Sequence, residues 1–407
     1  MKHITTSPAY SINSDLGIGQ SNWDWPEHLA IGQTAMHKLF KTVALEPAGK
    51  SMALPVSKQP LDVDTMRFVD PLKPQRNISG EQFLNRRLFN DALLVMHKGE
   101  VVHESYRNGM QENDRHVIHS CTKSLCSMIA AIAIDEGLLD PAQEISHYVT
   151  ELGSIAAWQG VSLQHVLDMQ AGIFYSEDYS NPEAHYWGYA RAAGYYPPLQ
   201  GESAIGVRAW IFENLTTRNH APGTRFLYNS CLTNILGMAL ESAYNKDLGN
   251  IFEEVLYQHI GAESEGYFNT DPLGFPITEG QFSLRLRDFA RCAFPMINGG
   301  KNLAGEQLLP VDFIERTVTA NAEAKRAYQA EEKDRVFSEG QYKNKFWVIA
   351  PEERQFTMLG IHGQFAWFDL NRELMIVGMG SFPKQDGQLM SINLRTLWTT
   401  IAEAIDC

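Results

Sequence analysis

Hydrophobic and polar positions form their clearest strand patterns near the two ends of the chain. From Ala92, the run "ALLVMHKGEVVHESY" contains two β-rich segments separated by a His-Lys-Gly turn signal, which predicts a β-hairpin. Near the C-terminus, "FAWFDLNRELMIVGMGSF" has the same arrangement around an Asn-Arg turn. Although the two hairpins are distant in sequence, we expect them to join one antiparallel sheet.

Helical periodicity dominates the region between the hairpins. Leu125, Met128, Ile129 and Ile132 recur at helix spacing, and "SLQHVLDMQAGI" and "CLTNILGMALESAY" behave similarly. A further helix is predicted after the second hairpin, in "LMSINLRTLWTTIAEAI". The pattern therefore predicts an α+β fold, in which an antiparallel sheet is flanked by helices and carries an all-helical insert.

The same pattern divides the chain into three parts. Residues 1–84 are rich in Pro and polar residues, and we expect an irregular N-terminal arm packed on the body. Residues 85–120 and 231–407 are expected to form an α/β body with the antiparallel sheet. Residues 121–230 are expected to form a mainly helical region.

Composition and charge narrow the class of protein. The 407 residues are 44% hydrophobic and carry a formal net charge of -14, which argues against nucleic acid as a partner. The N-terminal segment has no apolar leader and no apolar run approaches about 18 residues, so we expect a cytoplasmic protein without a membrane partner. Five scattered cysteines, with no C-x-x-C or H-E-x-x-H spacing, predict neither a metal site nor another cofactor. The number of assembled chains stays open, with a homodimer among the alternatives.

Candidate chemistry begins with Ser120 and Lys123, at the predicted start of a helix. Residues three apart share a helix face, so the lysine could accept the serine proton if its amine is neutral. Backbone N–H groups at the helix start could then stabilise an oxyanion. The alternative is an ordinary serine N-cap, because Ser-x-x-Lys specifies only two positions.

Two further residues have the same ambiguity. Tyr228, in "APGTRFLYNSCLTNILG", precedes an apolar helix and could pass a proton to the serine and lysine, or merely pack there. His362, in "GIHGQFAWFDL", lies between Gly360 and Gly363 at the start of a predicted edge strand, where a ligand could approach the backbone. It could equally be a structural histidine.

Together these residues resemble the serine β-lactamase-like superfamily, which includes class C β-lactamases, D-alanyl-D-alanine carboxypeptidases and family VIII esterases. The resemblance covers residues 85–405 and rests on the "SCTK", "YNS" and "GIHGQ" segments in this order. Within the superfamily, "FYSEDYSNP", "GIHGQFAWFDL" and "GSFPKQD" resemble the 6-aminohexanoate-dimer hydrolase group. The resemblance implies a β-lactamase/transpeptidase-like fold and a small-molecule ester or amide as substrate.

The resemblance also implies roles for individual residues. Ser120 would be the acylated nucleophile, and Lys123 and Tyr228 the catalytic pair that transfers its proton. The backbone N–H groups of Ser120 and Ile361 would form the oxyanion hole. Tyr179, in "SEDY", resembles a tyrosine that closes over the substrate amide.

Four other residues are candidates for substrate binding: Ser230, Glu279, His362 and Trp187. Ser230 replaces the usual Asn, while Glu279 falls where a polar pocket residue is expected. Glu279 could bind a substrate cation, because the position of an acidic residue in nylon-oligomer enzymes is Ala190 here. The Lys-Thr-Gly motif that binds a β-lactam carboxylate is absent, which disfavours penicillin hydrolysis.

An aromatic cluster with little aliphatic content belongs to the predicted helical region. It could form a lid over the cleft or simply pack that region, and the sequence leaves both roles open. Its members are Tyr175, Tyr179, Tyr186, Trp187, Tyr189, Tyr195 and Tyr196.

Three functions fit these observations. The first is a serine hydrolase that cleaves small carboxylic esters or linear amides, such as 6-aminohexanoate oligomers, through an acyl-Ser120 intermediate. The alternatives are a β-lactamase or D-Ala-D-Ala peptidase-like enzyme and a catalytically silent ligand-binding protein. A classical α/β-hydrolase is disfavoured because there is no Gly-x-Ser-x-Gly motif.

Overall fold

The computed structural model describes residues 17–203, 205–330 and 337–406 and contains sheets of seven, four and two strands. The strands are β1 (Thr42–Leu45), β2 (Arg67–Asp70), β3 (Lys73–Ser79), β4 (Asn90–His97), β5 (Glu100–Tyr106), β6 (His116–Val117), β7 (Gly266–Asn269), β8 (Phe282–Leu284), β9 (Gln341–Lys343), β10 (Phe346–Ala350), β11 (Gln355–Gly360), β12 (Gln364–Asp369) and β13 (Leu374–Gly380). The α-helices are α1 (Leu29–Leu39), α2 (Gly80–Phe83), α3 (Cys121–Asp135), α4 (Leu163–Leu167), α5 (His185–Ala192), α6 (Val207–Asn214), α7 (Cys231–Tyr244), α8 (Leu248–Ile251), α9 (Leu286–Ala293), α10 (Val311–Val318), α11 (Ala322–Gln329) and α12 (Gln388–Ile405).

The two predicted hairpins, β4–β5 and β12–β13, are confirmed. They belong to one antiparallel sheet of order β5-β4-β13-β12-β11-β10-β9, because β13 pairs with β4. In that pair, Ile376 lies opposite Val95 and Val377 lies opposite Leu94. The predicted α+β fold, with an antiparallel sheet flanked by helices, is therefore confirmed.

Both faces of the seven-stranded sheet are covered. Leu94 and Met96 belong to the core on the side of α3 and α9, whereas Leu93 and Val95 belong to a second core with α12. Two-sided burial explains why β4 is a nearly continuous apolar run rather than a strict alternation.

The predicted helices in the middle of the chain are also present. They correspond to α3, α4 and α7. Helix α4 begins with a capping box, in which Ser162 Oγ accepts from the His165 amide and the His165 ring accepts from the Ser162 amide. Helix α7 begins at Cys231, shortly after Tyr228.

The N-terminal segment is more regular than the sequence predicts, because its described part contains α1, α2 and β1–β3. Strand β1 pairs with β7, with Thr42 opposite Asn269. A four-residue strand whose partner lies so far along the chain carries too little periodicity to be predicted. The division of the chain at residues 84, 120 and 230 stays a prediction.

The prediction that His362 opens an edge strand is wrong. Strand β12 is internal, since β11 and β13 pair with its two sides. The chain reverses between β11 and β12 in a tight turn, with φ of 62° at His362 and 92° at Gly363. The sequence pattern did not reveal β11, which ends directly before this turn and pairs with β12.

The segment that precedes α1 contacts the loop after α5 and the residue before Ser120. The Trp23 indole N–H donates to the Tyr195 carbonyl at 3.4 Å, and the Tyr196 hydroxyl donates to Asp24 at 2.5 Å. The Trp23 ring also stacks on the His119 ring, with 6.3 Å between centroids. These contacts therefore link the loop after α5 to His119, the residue before Ser120.

The second core yields a prediction about stability. Trp398 of α12 is buried and stacks on Trp367 of β12 at 5.8 Å. Trp398→Ala should therefore lower the free energy of unfolding by about 3–5 kcal/mol, measured by chemical denaturation. In the control, Trp25→Ala removes a ring that is 51% exposed and should change it by no more than about 0.5 kcal/mol. Equal losses in the two variants would contradict the prediction.

Candidate active site

Ser120 lies where the chain leaves β6 and enters α3. The buried His119 has a positive φ of 43°, so the backbone turns sharply just before the serine. Ser120 occupies the N-cap position of α3, but its side chain makes no capping hydrogen bond. Its hydroxyl instead accepts a hydrogen bond from Lys123 Nζ at 2.7 Å. The geometry thus does not support the simple capping role that the sequence left open.

Lys123 is buried beneath Ser120, with a side chain that is 1% exposed. Besides Ser120 Oγ, its Nζ contacts the Glu279 carbonyl oxygen at 2.5 Å and the Glu279 carboxylate at 3.5 Å. It also lies 5.1 Å from the centroid of the Tyr228 ring. A buried lysine is well solvated only by such partners, which fix its amine against the serine hydroxyl.

Tyr228 completes the group from the start of α7. Its side chain lines the same cavity as Ser120, and its ring stacks on Trp347 with 5.7 Å between centroids. Loss of solvent on burial, followed by the negative charge of Glu177, raises the pKa of Tyr228 well above its usual value. The phenol is therefore protonated at neutral pH and can donate a proton.

The end of β11 brings a second backbone amide to the serine. Gly360 packs closely against the chain before α3, because a Cβ at this position would lie 2.7 Å from the Ile118 carbonyl oxygen. Ile361 follows, and it lines the same cavity as Ser120. Ser120 and Ile361, each with a backbone N–H, therefore both contribute to the cavity wall. Two such amides beside a serine hydroxyl are suited to an oxyanion.

The cavity above Ser120 has a volume of about 650 Å³. Its wall is largely aromatic, formed by Tyr175, Tyr179, Phe226, Tyr228, Tyr328, Phe337 and Trp347. It also contains the acidic side chains Glu177, Asp178 and Asp386, while no Lys, Arg or His is among the described lining residues. The described wall of the cavity is therefore largely apolar, and its acidic side chains are carboxylates.

Of the predicted substrate-binding residues, Tyr179 lines this cavity and Ser230 lies directly behind it. Both are held by Glu177: the Tyr179 hydroxyl donates to this carboxylate at 2.8 Å, and the Ser230 hydroxyl and amide donate to it at 2.7 and 2.9 Å. Sequence reasoning missed Glu177, although "SEDY" contains it. The missing signal was its contact with Ser230, which lies on a separate element.

The other three predicted substrate-binding residues make internal contacts. Glu279 faces Lys123 from behind, whereas His362 is buried and hydrogen-bonded to the Phe382 carbonyl at 2.8 Å. Burial lowers the pKa of His362 to about 4, so its ring is neutral at pH 7. Trp187 packs in the aromatic cluster. None of the three is among the cavity-lining residues, and a substrate contact stays a prediction for each.

The aromatic cluster contributes to both the cavity wall and the protein core. Tyr175 and Tyr179 line the cavity, and Tyr179 contacts Tyr186 edge-on at 4.7 Å. Tyr189 and Tyr195 are buried on the far side of Lys123. Packing thus accounts for the inner members, and closure of the outer ones over a ligand stays a prediction.

Residues 17–203, 205–330 and 337–406 were compared with the requirements of a metal site and of a membrane-spanning helix. There, no group of three or more His, Cys, Asp or Glu side chains is arranged to hold a metal ion. No helix in the same ranges has the length and apolar character required to cross a membrane. A cytoplasmic location and a homodimer stay predictions.

Comparison with known proteins agrees with this geometry. A family model described as Beta-lactamase matches residues 81–392. The 6-aminohexanoate-dimer hydrolase of Paenarthrobacter ureafaciens is 32% identical over 297 residues, which cover 73% of this chain and 74% of that protein. A solved structure named "Putative 6-aminohexanoate-dimer hydrolase from Bacillus anthracis" is 20% identical, with a TM-score of 0.85 over 97% of this chain and 99% of that chain. A family VIII carboxylesterase is 15% identical, with a TM-score of 0.57 over 79% of this chain and 95% of that chain.

The helix-flanked antiparallel sheet, with a serine and a lysine at the start of a buried helix, defines a hydrolase of the serine β-lactamase superfamily. The predicted superfamily is therefore confirmed. The chain belongs to the beta-lactamase family and is a homologue of 6-aminohexanoate-dimer hydrolase.

Because Gly360 lies close to the Ile118 backbone, we expect a side chain at this position to reduce activity. In Gly360→Ala the new Cβ would lie 2.7 Å from the Ile118 carbonyl oxygen, so the end of β11 must shift and move the Ile361 amide. We expect hydrolysis of an activated ester to fall by about tenfold or more. Gly153→Ala is the control, since its Cβ would meet only Ser146, at 3.9 Å. Unchanged turnover in folded Gly360→Ala would contradict the prediction.

Proposed function

We propose that the protein is a serine hydrolase that cleaves small carboxylic esters or linear amides through an acyl-Ser120 intermediate. The observation that carries the proposal is the contact of the Ser120 hydroxyl with Lys123 Nζ, at 2.7 Å, beside the Tyr228 ring and a cavity of about 650 Å³. A serine becomes a useful nucleophile when a neighbouring group accepts its proton.

In the acylation step, Ser120 Oγ attacks the substrate carbonyl carbon and Lys123 accepts the hydroxyl proton. The N–H groups of Ser120 and Ile361 donate to the resulting oxyanion. When the bond to the leaving oxygen or nitrogen breaks, the proton passes through Tyr228 to that atom.

In the deacylation step, water attacks the acyl carbon and loses a proton to the same Lys123–Tyr228 pair. The ester bond to Ser120 Oγ breaks, and the proton returns to the serine oxygen. The acid leaves and the serine hydroxyl is restored. Tyr179 would close over the bound substrate, since it lies in the cavity wall.

The charge of the cavity favours substrates that carry a cation. The Glu177 carboxylate would attract an amine on the substrate, and the aromatic wall would accommodate an alkyl chain. A β-lactam carboxylate would meet the same negative charge without a Lys-Thr-Gly strand to bind it. These features favour an amine-bearing ester or amide over a β-lactam.

The first test is labelling of the nucleophile. Intact-protein mass spectrometry after exposure to a fluorophosphonate should give one adduct on Ser120, and Ser120→Ala should give none. Ser127→Ala is a matched control, because Ser127 is a buried serine on the same helix and should leave labelling unchanged. Absence of an adduct on folded wild-type protein would favour the silent ligand-binding alternative.

The second test concerns substrate charge. Among 4-nitrophenyl esters of equal chain length, kcat/KM should be about tenfold higher for 6-aminohexanoate than for the adipate monoester, which corresponds to about 1.4 kcal/mol. Glu177→Gln should reduce the ratio of the cationic to the neutral hexanoate ester, because it removes a cavity carboxylate. A preference for the adipate ester, or nitrocefin turnover rivalling the best ester, would contradict the proposed substrate class.

A further inference from the structure

Glu279 lies in the loop between β7 and β8, on the far side of Lys123 from the cavity. Its side chain is 8% exposed. Both its backbone and its carboxylate face the lysine: the carbonyl oxygen accepts from Nζ at 2.5 Å, and Oε2 lies 3.5 Å from Nζ. Lys123 is therefore held between Ser120 Oγ on one side and a single acidic residue on the other.

The other carboxylate oxygen of Glu279 is held by two tyrosines. Oε1 accepts hydrogen bonds from the Tyr195 hydroxyl and, at 3.3 Å, from the Tyr189 hydroxyl. The Tyr189 oxygen itself accepts from Asn234 Nδ2 at 2.6 Å, so its hydrogen is directed to Glu279. With Lys123, three donors converge on this carboxyl group. Burial raises the pKa of Glu279, while the charge of Lys123 and the hydrogen bond from Tyr195 oppose that rise.

We propose that Glu279 is the positioning residue of Lys123, a buried counter-ion that holds Nζ against Ser120 Oγ and sets the pH at which Lys123 becomes a proton acceptor. The proposal rests on the hydrolase mechanism above. It also gives Glu279 a role other than direct binding of a substrate cation, since the cation in contact with its carboxylate is the protein's own lysine.

The charged and titratable groups around Glu279 come from several elements. They are Lys123 on α3, Tyr175 and Glu177 on the loop before α5, Tyr186, Tyr189 and Tyr195 on and after α5, and Tyr228 and Cys231 at the start of α7. Burial raises the pKa of each of these tyrosines and of the Cys231 thiol well above its ordinary value. At neutral pH these tyrosines and the thiol are uncharged. Lys123 also faces His119, directly before Ser120, and Lys345, between β9 and β10, and burial lowers the pKa of both groups well below the ordinary value.

The direction of the expected pH effect follows from the charge of Glu279. A carboxylate favours a positive charge on a neighbouring amine more than an amide does. Acylation needs a neutral amine, so its rate should rise with pH. In Glu279→Gln this rise should therefore occur about one to three pH units lower, the usual effect of an opposite charge at this range. The rate at high pH should fall, because a less basic and less firmly held amine accepts the proton less well.

The experiment is single-turnover acylation by 4-nitrophenyl butyrate, followed from pH 5 to pH 10 in wild type and Glu279→Gln. Glu279→Asp keeps the charge, so the pH dependence should remain near that of wild type while the rate falls. Tyr195→Phe removes one donor to the carboxylate and disfavours its ionised form, so the shift should have the same direction as in Glu279→Gln but be smaller. This variant also provides the test if Glu279→Gln does not fold.

Glu241→Gln is the matched control, because Glu241 is also partly buried and paired with an arginine, Arg208, away from the serine. It should leave the pH dependence unchanged. A folded Glu279→Gln protein whose rate falls with an unshifted pH dependence would overturn the positioning role, as would a shift to higher pH. Failure of the wild-type protein to acylate at any pH would instead overturn the proposed function, so the two failures are distinguishable.

Discussion

Burial of the Lys123 side chain is the constraint on which the arrangement of the active site depends. Leaving a buried charge without its partner costs about 3–5 kcal/mol, so the chain must bring oxygen acceptors to this amine. Ser120 provides one from the same helix, and the loop between β7 and β8 provides two from Glu279. The position of the loop between β7 and β8 is therefore coupled to the position of the nucleophile.

The two sides of Ser120 differ in charge. Behind the serine lies the Lys123 amine, and in front of it the cavity wall contains carboxylates, with Glu177 holding both Tyr179 and Ser230. Because Glu279 is paired with Lys123 behind the serine, a substrate would meet Glu177 on the cavity side instead.

The sequence predicted those parts of the fold that have strong local patterns. The hairpins β4–β5 and β12–β13 and the helices α3 and α7 have clear periodicity, whereas β1 has four residues and pairs with the distant β7. In the same way, Ser120 and Lys123 could be paired because one helical turn separates them. The direction in which Glu279 faces depends on the packing of three elements, so its contact with Lys123 could not be predicted. Glu177 was missed for the same reason.

The positions of the active-site residues along the chain also have a consequence for biosynthesis. Ser120 and Lys123 are translated early, but Glu279 and Ile361 are translated much later. The sheet that carries Ile361 cannot close until β13 is available to pair with β4. Such long-range pairing is slow compared with the formation of the local helices. A nascent chain therefore contains the serine and lysine without the second amide or the buried counter-ion, and the complete site arises only when nearly the whole chain has been made.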